Sequence, residues 1–395
     1  MNDLRNESIH LMLNLSTVCN LACRYCIVDA GRAYGAQEQL MSQDTGHTTI
    51  DWLFDTFPSS SRYLIGFLGG EPFLNFSTMQ SVMKYAIERG NKSGISIEFT
   101  AITNGTRINE ERISFLRQYP FHLVFSMDGP LTIHDSLRIT ARGKGTHHMV
   151  VKAFEKALGC QSSTFSVGVS CTLTKGTDSD AILQYFRNFE VGSLKMEWVR
   201  ISNDSALYPD STDISRYRDT LLHRAEWFTS CMESTGRSPD YTFRNIVARY
   251  ATNNTHNHHC AAAQSIFGIS TIGDIYPCSY FSGDDNYIIG SVRTGLSEDR
   301  VKAYLMQTSV MEYEDCRTCA VRNICSGGCP VARRYTGKID CALTQLEVEA
   351  GQKTFEKLIK NDPFCIMAIG NRAAAEELRN GLVQLQLGGC QDDGR

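Results

Sequence analysis

The chain has 395 residues and a formal net charge of −4, with 39 basic and 43 acidic side chains. Hydrophobic residues make up 42% of the sequence and charged residues 21%, which is enough apolar material for a folded core and argues against disorder. Without a basic excess, the composition argues against nucleic acid as a partner, and no apolar run is long enough to cross a membrane. The polar residues 1–10 lack the pattern of a secretory signal, so we expect a cytoplasmic protein.

The first 200 residues alternate short β-rich runs with helical stretches, which is typical of βα units around a parallel sheet. The predicted strands are 10–15, 63–68, 95–102, 121–127, 165–173 and 195–201. The predicted helices are 75–88, 110–117, 148–158 and 179–189, followed by a long helical run over 211–250. Six such units predict an α/β fold with a partial, TIM-like barrel, whose functional residues lie at the carboxyl ends of the strands.

A composition shift near residue 250 predicts the end of this first domain. The barrel with its connecting helices would then occupy residues 1–250, and a small cysteine-rich domain would occupy residues 251–345. A C-terminal segment, residues 346–395, has a helical pattern over 347–360 and 372–387.

Polar and turn-forming residues follow four successive predicted strands. The first strand is followed by a cysteine triplet and the second by Gly69-Gly70-Glu71-Pro72. The third is followed by Thr103-Asn104-Gly105 and the fourth by Asp128-Gly129-Pro130. Ordinary βα turns would explain any one of these, but four in succession predict the rim of an active site.

The triplet Cys19, Cys23 and Cys26 has the spacing C-x3-C-x2-C. Three thiolates so placed can each bind one iron of a [4Fe–4S] cubane, which leaves the fourth iron open for a small molecule. Zinc, or no metal at all, is the alternative. A structural zinc site normally takes four protein ligands, and no fourth cysteine or histidine lies nearby.

With Tyr25 before its last cysteine, the triplet resembles the signature of the radical S-adenosylmethionine (SAM) superfamily, and residues 69–72 resemble its glycine-rich motif. Residues 125–130 with Arg138 resemble a stretch of its peptide- and protein-modifying branch. The resemblance implies that a [4Fe–4S] cluster on the triplet binds SAM, which yields a 5′-deoxyadenosyl radical that removes a hydrogen atom from the substrate. The SAM-binding residues that it implies are Tyr25, Gly69, Gly70, Glu71, Asn104, Ser126, Arg138 and Val199.

The chemistry of these side chains suits SAM. The planar fork of Arg138 could hold its carboxylate, and Glu71 offers a counter-charge to its amine. Gly69 and Gly70 would let the backbone approach the ligand closely. The alternatives are an ion pair of Arg138 with Asp135 and a helix-capping role for Glu71.

Seven further cysteines lie in the second segment, more than one four-coordinate metal can bind, so the sequence predicts two sites. A pair of structural zinc sites is the alternative. The pattern is similar to the SPASM domain of radical SAM maturases. That resemblance places a distal auxiliary [4Fe–4S] cluster on Cys316, Cys319, Cys325 and Cys341, and a proximal one on Cys260, Cys278 and Cys329.

The chain departs from sulfatase-maturating enzymes of that group at two positions. Asn254 stands where they carry a fourth ligand of the proximal cluster, so that cluster would have an open iron or would bind His258 or His259. Ser279 stands where they carry an aspartate proposed as the base, and a serine is not a carboxylate base. The general base is therefore unassigned.

The resemblance implies an oxidoreductase that forms a carbon–carbon, ether or thioether crosslink in a ribosomally made peptide, using three [4Fe–4S] clusters and SAM. A sulfatase-maturating enzyme that makes formylglycine is the alternative, and an electron carrier or a regulatory iron–sulfur module are the non-enzymatic ones. The expected partners are a short precursor peptide and an electron donor such as flavodoxin or ferredoxin. Only about nine residues precede the first strand, so recognition of a leader would need a separate leader-binding protein, a surface of the barrel or the segment after Cys341.

Overall fold

The structure is a computed structural model that describes residues 8–34, 38–252, 256–336 and 341–361. Its centre is a ten-stranded sheet in the order β10-β9-β8-β7-β1-β2-β3-β4-β5-β6. The strands are β1 Ser8–Ser16, β2 Arg62–Gly69, β3 Ser96–Thr103, β4 Phe121–Ser126, β5 Phe165–Leu173, β6 Ser193–Trp198, β7 Ile266–Ile269, β8 Asp274–Tyr276, β9 Gly290–Ser291 and β10 Gly295–Leu296.

Helices connect the strands and continue after them. They are α1 Gln43–Thr56, α2 Phe76–Ser93, α3 Glu110–Leu116, α4 Leu131–Leu137, α5 His147–Leu158, α6 Ser179–Phe186, α7 Ser211–Thr235, α8 Tyr241–Thr252, α9 Glu298–Gln307, α10 Glu314–Arg317, α11 Arg322–Cys325, α12 Pro330–Thr336 and α13 Cys341–Asn361. None of the helices in the described part of the chain is both long and apolar enough to span a membrane.

Strands β1 to β6 pair in parallel with their neighbours in the chain, which confirms the predicted α/β fold with its six-stranded parallel core. Alternate side chains of β1, beginning with Ile9 and Leu11, are fully buried, as the period of two in a strand requires. The row of strands does not close on itself, because β1 pairs with β7 on its other side.

That pairing was not predicted from the sequence. β7 joins β1 in parallel, with His10 opposite Ile266, and β8 to β10 extend the sheet in antiparallel fashion. The cysteine-rich segment therefore begins as a continuation of the barrel sheet. The domain boundary near residue 250 stays a prediction.

The helical run predicted over 211–250 forms two helices. α7 ends at Gly236, whose φ of 66° is left-handed, and α8 begins after Asp240. The segment between them covers the free edge of β6, where the Leu194 N–H donates to the Pro239 carbonyl over 2.7 Å. The predicted helix over 347–360 lies within α13, whereas residues 372–387 lie outside the described residues.

Candidate cofactor and cluster sites

The loop after β1 carries the first group of cysteines. The backbone N–H of Leu21 donates to Cys19 Sγ over 3.4 Å, and that of Ala30 donates to Cys26 Sγ over 3.2 Å. N–H groups directed at sulfur favour the thiolate. Burial nevertheless raises the pKa of the Cys19 thiol to about 12, so a thiolate there requires a compensating cation.

The loop after β2 lies against the backbone that leads into this cysteine loop. Gly69 has a φ of +126°, and a Cβ there would lie 2.3 Å from the Ser16 carbonyl oxygen. A Cβ on Gly70 would lie 2.4 Å from the Val18 carbonyl oxygen. Both residues must therefore be glycine for the two loops to pair. In the structure these two glycines lie close to the backbone of Ser16 and Val18. Their close contact with SAM stays a prediction.

Glu71 is buried and joins the ends of β2 and β3. Its Oε1 accepts hydrogen bonds from the Phe73 N–H at 3.0 Å and from Thr103 Oγ1 at 2.8 Å. Its Oε2 accepts one from the Asn104 N–H at 2.8 Å. Burial raises the pKa of Glu71 although these three bonds favour its charged form. The carboxylate caps the short turn Pro72–Asn75, which is the capping role that the sequence offered as the alternative to SAM binding. Its contact with the SAM amine stays a prediction.

Asn104 connects the end of β3 to the first cysteine. Its Nδ2 donates to Asn20 Oδ1 over 3.0 Å and to Cys19 Sγ over 3.7 Å. Its Oδ1 accepts from both the backbone and the hydroxyl of Thr106, which fixes the orientation of the amide. The loops after β1, β2 and β3 therefore form one hydrogen-bonded unit around Cys19.

Arg138 and Tyr25 meet at Asp128, which is fully buried after β4. Tyr25 OH donates to Asp128 Oδ2, and Arg138 Nε donates to the same oxygen over 2.9 Å. The other oxygen, Oδ1, accepts from the Thr172 N–H at 3.0 Å. The expected alternative partner of Arg138, Asp135, instead accepts from backbone N–H groups at the start of α5. Sequence reasoning placed Asp128 at the rim but missed its role as the anchor of Arg138.

The arrangement leaves polar groups available to a ligand. Within the described residues, the two Nη groups of Arg138 have no hydrogen-bond acceptor, and the Ser126 hydroxyl at the end of β4 has no partner. Val199 lies after β6 in a small apolar cluster with Tyr25 and Leu137. A guanidinium fork, a hydroxyl and an apolar surface are what the carboxylate, ribose and adenine of SAM would need.

The cysteines of the second segment lie in two groups in the folded chain, and their roles as cluster ligands stay a prediction. Cys260, Cys278 and Cys329 interact electrostatically with one another, and burial raises the pKa of Cys278 to about 12. The Cys278 segment crosses the sheet over Gly268, where a Cβ would lie 2.3 Å from the Ser279 nitrogen. Asn14 on β1 donates to the Ser279 carbonyl at 3.2 Å.

A charged cluster missed by the sequence reasoning lies beside this group. Glu197 pairs with Lys195 at 3.0 Å and with Arg200 at 2.7 Å, and the charge of Arg200 acts on Cys278 and Cys329. Burial alone would raise the pKa of Glu197, but the two cations outweigh burial and lower its pKa to about 2. Its two cationic neighbours therefore hold Glu197 in its ionised form. The sequence could have indicated this cluster, because Lys195 and Glu197 are two residues apart on a strand and their side chains therefore lie on the same face.

The other four cysteines line one cavity of about 670 Å³. They are Cys316, Cys319, Cys325 and Cys341. Burial raises the pKa of Cys325 to about 11, and the other three thiols contribute to the rise. Arg333 also lines the cavity and donates from Nη2 to Cys316 Sγ over 3.4 Å.

The cysteine donors in the described part of the chain fit iron–sulfur clusters. In a cubane each thiolate binds a separate iron, so the sulfurs surround a volume instead of a point. A cavity lined by four thiols and a buried loop with N–H groups directed at sulfur agree with that arrangement.

The histidines next to Cys260 are held by backbone carbonyls. His258 Nε2 donates to the Leu305 carbonyl at 2.8 Å, and His259 Nδ1 donates to the Cys325 carbonyl at 2.9 Å. Asn254 lies outside the described residues, so a fourth ligand of the proximal cluster stays unassigned. Ser279 is fully buried, and its hydroxyl lies 4.0 Å from Met12 Sδ.

Comparisons with known proteins agree with this geometry. The sequence model of the radical SAM superfamily matches residues 13–183. The cysteine-type anaerobic sulfatase-maturating enzyme of Clostridium novyi is 23% identical over 331 residues, which cover 80% of this chain and 85% of that protein.

Two solved structures share the fold. The sulfatase-maturating enzyme anSMEcpe with bound AdoMet has a TM-score of 0.70 at 20% identity, covering 92% of this chain and 100% of that chain. Streptococcus suis SuiB bound to its precursor peptide SuiA has a TM-score of 0.58 at 15% identity, covering 86% of this chain and 76% of that chain. The cysteine triplet after β1 lies within residues 13–183, so this part of the chain matches the radical SAM superfamily both in sequence and in the position of its cysteines.

Proposed function

We propose that this protein is a cytoplasmic radical SAM maturase that forms an oxidative crosslink, through a carbon–carbon, ether or thioether bond, in a ribosomally made peptide. The observation that carries the proposal is the division of ten cysteines into three groups. One group lies at the barrel rim, one lies beside Arg200, and one lines the cavity of about 670 Å³. We assign a [4Fe–4S] cluster to each group, with SAM on the first.

The residues at the rim have separate tasks in this proposal. The two Nη groups of Arg138 would bind the SAM carboxylate while Asp128 holds the guanidinium in place through Nε. Ser126 would contact the ribose, and Val199 and Tyr25 would exclude water from the adenine. When bound, SAM and its cluster supply the radical that removes a hydrogen atom from an unactivated C–H bond.

A crosslink requires the net loss of two hydrogen atoms from the substrate, so an electron must leave the site. The two further cysteine groups provide places for that electron, which supports an oxidative reaction. The charges of Lys195, Glu197 and Arg200 lie beside the proximal cysteine group. They are suited to orient a polar peptide substrate. An external carrier such as flavodoxin or ferredoxin, and a separate protein that binds the leader of the precursor, complete the proposed system.

Formation of formylglycine is the second candidate, because sulfatase-maturating enzymes match most of this chain in sequence and in fold. Against it, Ser279 takes the position where those enzymes are expected to carry an aspartate base, and its hydroxyl is buried against Met12. We therefore favour the crosslink.

Anaerobic incubation of the reduced, reconstituted enzyme with SAM tests this choice. The substrates would be the short precursor peptide, if one is encoded beside the gene, and a sulfatase-derived peptide with a target cysteine or serine. We expect 5′-deoxyadenosine and a precursor lighter by two hydrogen atoms that does not react with a hydrazide probe. An aldehyde on the sulfatase peptide, detected by the same probe, would instead establish formylglycine formation. The Cys23→Ala variant is the control and should give neither product.

A further inference from the structure

We propose that Arg333 raises the reduction potential of the distal cluster and so favours uptake by that cluster of the electron that the reaction releases. The proposal rests on the proposed function, because it takes Cys316, Cys319, Cys325 and Cys341 as the ligands of a [4Fe–4S] cluster. Arg333 would act on the cluster through its positive charge, held next to Cys316 Sγ, and would not itself bind iron.

Three contacts hold the Arg333 guanidinium at the wall of the cavity. Nε donates to the Gly327 carbonyl at 2.8 Å, and Nη2 donates to Cys316 Sγ at 3.4 Å. The guanidinium carbon lies 3.6 Å from the centre of the Tyr313 ring, where the cation is attracted by the ring face. Cys316 is buried and Arg333 is half-buried, so solvent screens the interaction between them less than it would at an exposed site.

The first cysteine group differs in the charge of its donors. Cys19 accepts from the Leu21 N–H and from the Asn104 amide, and Cys26 accepts from the Ala30 N–H. All three donors are neutral. The charges of Arg138 and Arg200 act on cysteines of the other two groups. In the distal group the cation itself donates a hydrogen bond to a cysteine sulfur.

The charge has a predictable effect on electron transfer. The proposed crosslink removes two hydrogen atoms from the substrate, of which one is taken up by the SAM-derived fragment to give 5′-deoxyadenosine. The second leaves as a proton, which is released to solvent, and an electron. This electron reduces an auxiliary cluster, which then passes it to the external carrier. A fixed cation bonded to a ligand sulfur stabilises the reduced cluster more than the oxidised one, so it raises the potential.

The test is a redox titration of the full-length, anaerobically reconstituted protein followed by electron paramagnetic resonance (EPR). Replacing Cys19, Cys23 and Cys26 by alanine removes the first cluster and leaves the two auxiliary signals. In this background we expect Arg333→Gln to make one-electron reduction of one cluster about tenfold less favourable, which is a fall of about 59 mV. The other signal should keep its midpoint.

Arg322→Gln is the matched control. Arg322 lines the same cavity, but its Nη1 donates to the Arg317 carbonyl at 2.7 Å and not to a sulfur. We expect a clearly smaller shift for this variant. Equal shifts in the two variants, or an unchanged midpoint in Arg333→Gln with its iron retained, would overturn the proposal.

If Arg333→Gln loses the iron of its distal cluster, Arg333→Lys provides the test in its place. Lysine keeps the charge but cannot contact Gly327, Cys316 and Tyr313 together, so we expect an intermediate midpoint. Loss of iron in both variants would assign Arg333 to cluster assembly and contradict the proposal. If the parent background holds fewer than about eight irons per chain, the three-cluster function fails instead, so the two failures are distinguishable.

Discussion

At the residue scale, Asp128 organises the proposed SAM site. It is fully buried and accepts hydrogen bonds from Tyr25, Arg138 and the Thr172 N–H. A buried carboxylate of this kind is stable only while its partners stay in place. The pairing uses Nε of Arg138 and leaves the outer fork of the guanidinium for a ligand.

We predict that Arg138→Lys weakens SAM binding about tenfold or more, because a lysine can pair with Asp128 but cannot also present a fork to the carboxylate. Equilibrium dialysis with labelled SAM measures the dissociation constant. Arg142→Lys, an exposed change between α4 and α5, should leave it unchanged. Equal affinity of wild type and Arg138→Lys would remove Arg138 from the site.

The motifs predicted Tyr25 and Arg138 as site residues, and the structure brings them together. The sequence could not predict their common partner, because Asp135 and Asp128 are both acidic residues near Arg138 in the chain. Only the fold shows that Asp135 accepts from Thr146 and His147 backbone groups. The same holds for Glu71, whose three internal hydrogen bonds depend on where β3 lies beside β2.

At the element scale, the six parallel strands were predictable because each has five or more residues with a clear apolar pattern. The later strands were not, because β7 has four residues and β9 and β10 have two each. The place of β7 in the sheet is set by its pairing with β1, which is a contact between residues more than 250 positions apart. Helix α1 was missed because its first half, with Thr45, Gly46 and Thr49, is poor in helix-forming residues.

Helices α7 and α13 and the start of α8 are held together by a buried polar network. Arg224 donates to both oxygens of Asp240, at 2.8 and 2.9 Å, and its Nη1 donates to Tyr217 OH at 2.7 Å. Tyr217 OH in turn donates to Glu347 on α13 at 2.7 Å. Arg224 and Asp240 are both fully buried, so each depends on the other for compensation.

We predict that Arg224→Met lowers the free energy of unfolding by about 3–5 kcal/mol, because it leaves Asp240 as an uncompensated buried charge. Urea denaturation of the two proteins measures the difference. Arg218→Met removes an exposed cation from the same helix and should change stability by less than about 0.5 kcal/mol. A similar midpoint for Arg224→Met and wild type would show that the network does not stabilise the fold.

At the scale of the whole molecule, the sheet places the barrel rim and the Cys278 segment on one continuous framework. β1 lies between β2, which carries the glycine loop, and β7, over which the Cys278 segment crosses. The spacing of the cysteines predicted that there are two groups beyond the first. It could not predict the charged cluster of Lys195, Glu197 and Arg200, which meets Cys278 and Cys329 only in the folded chain.

We predict that the proximal and distal groups bind iron independently. Cys278→Ser and Cys325→Ser should each lower the iron content by about four per chain from about twelve, and the double variant by about eight. Iron and sulfide analysis after anaerobic reconstitution measures the content. If either single variant lost the iron of both the proximal and the distal group, the seven cysteines would form one shared site and not two.

The central claim is that the cluster on Cys19, Cys23 and Cys26 has an open iron at which SAM binds and is cleaved. The most direct measurement is the EPR spectrum of the reduced, full-length protein before and after SAM is added, followed by analysis for 5′-deoxyadenosine. The account predicts a changed signal and release of the nucleoside, with both absent in Cys23→Ala. An unchanged spectrum in fully reconstituted protein, with no nucleoside formed, would contradict it.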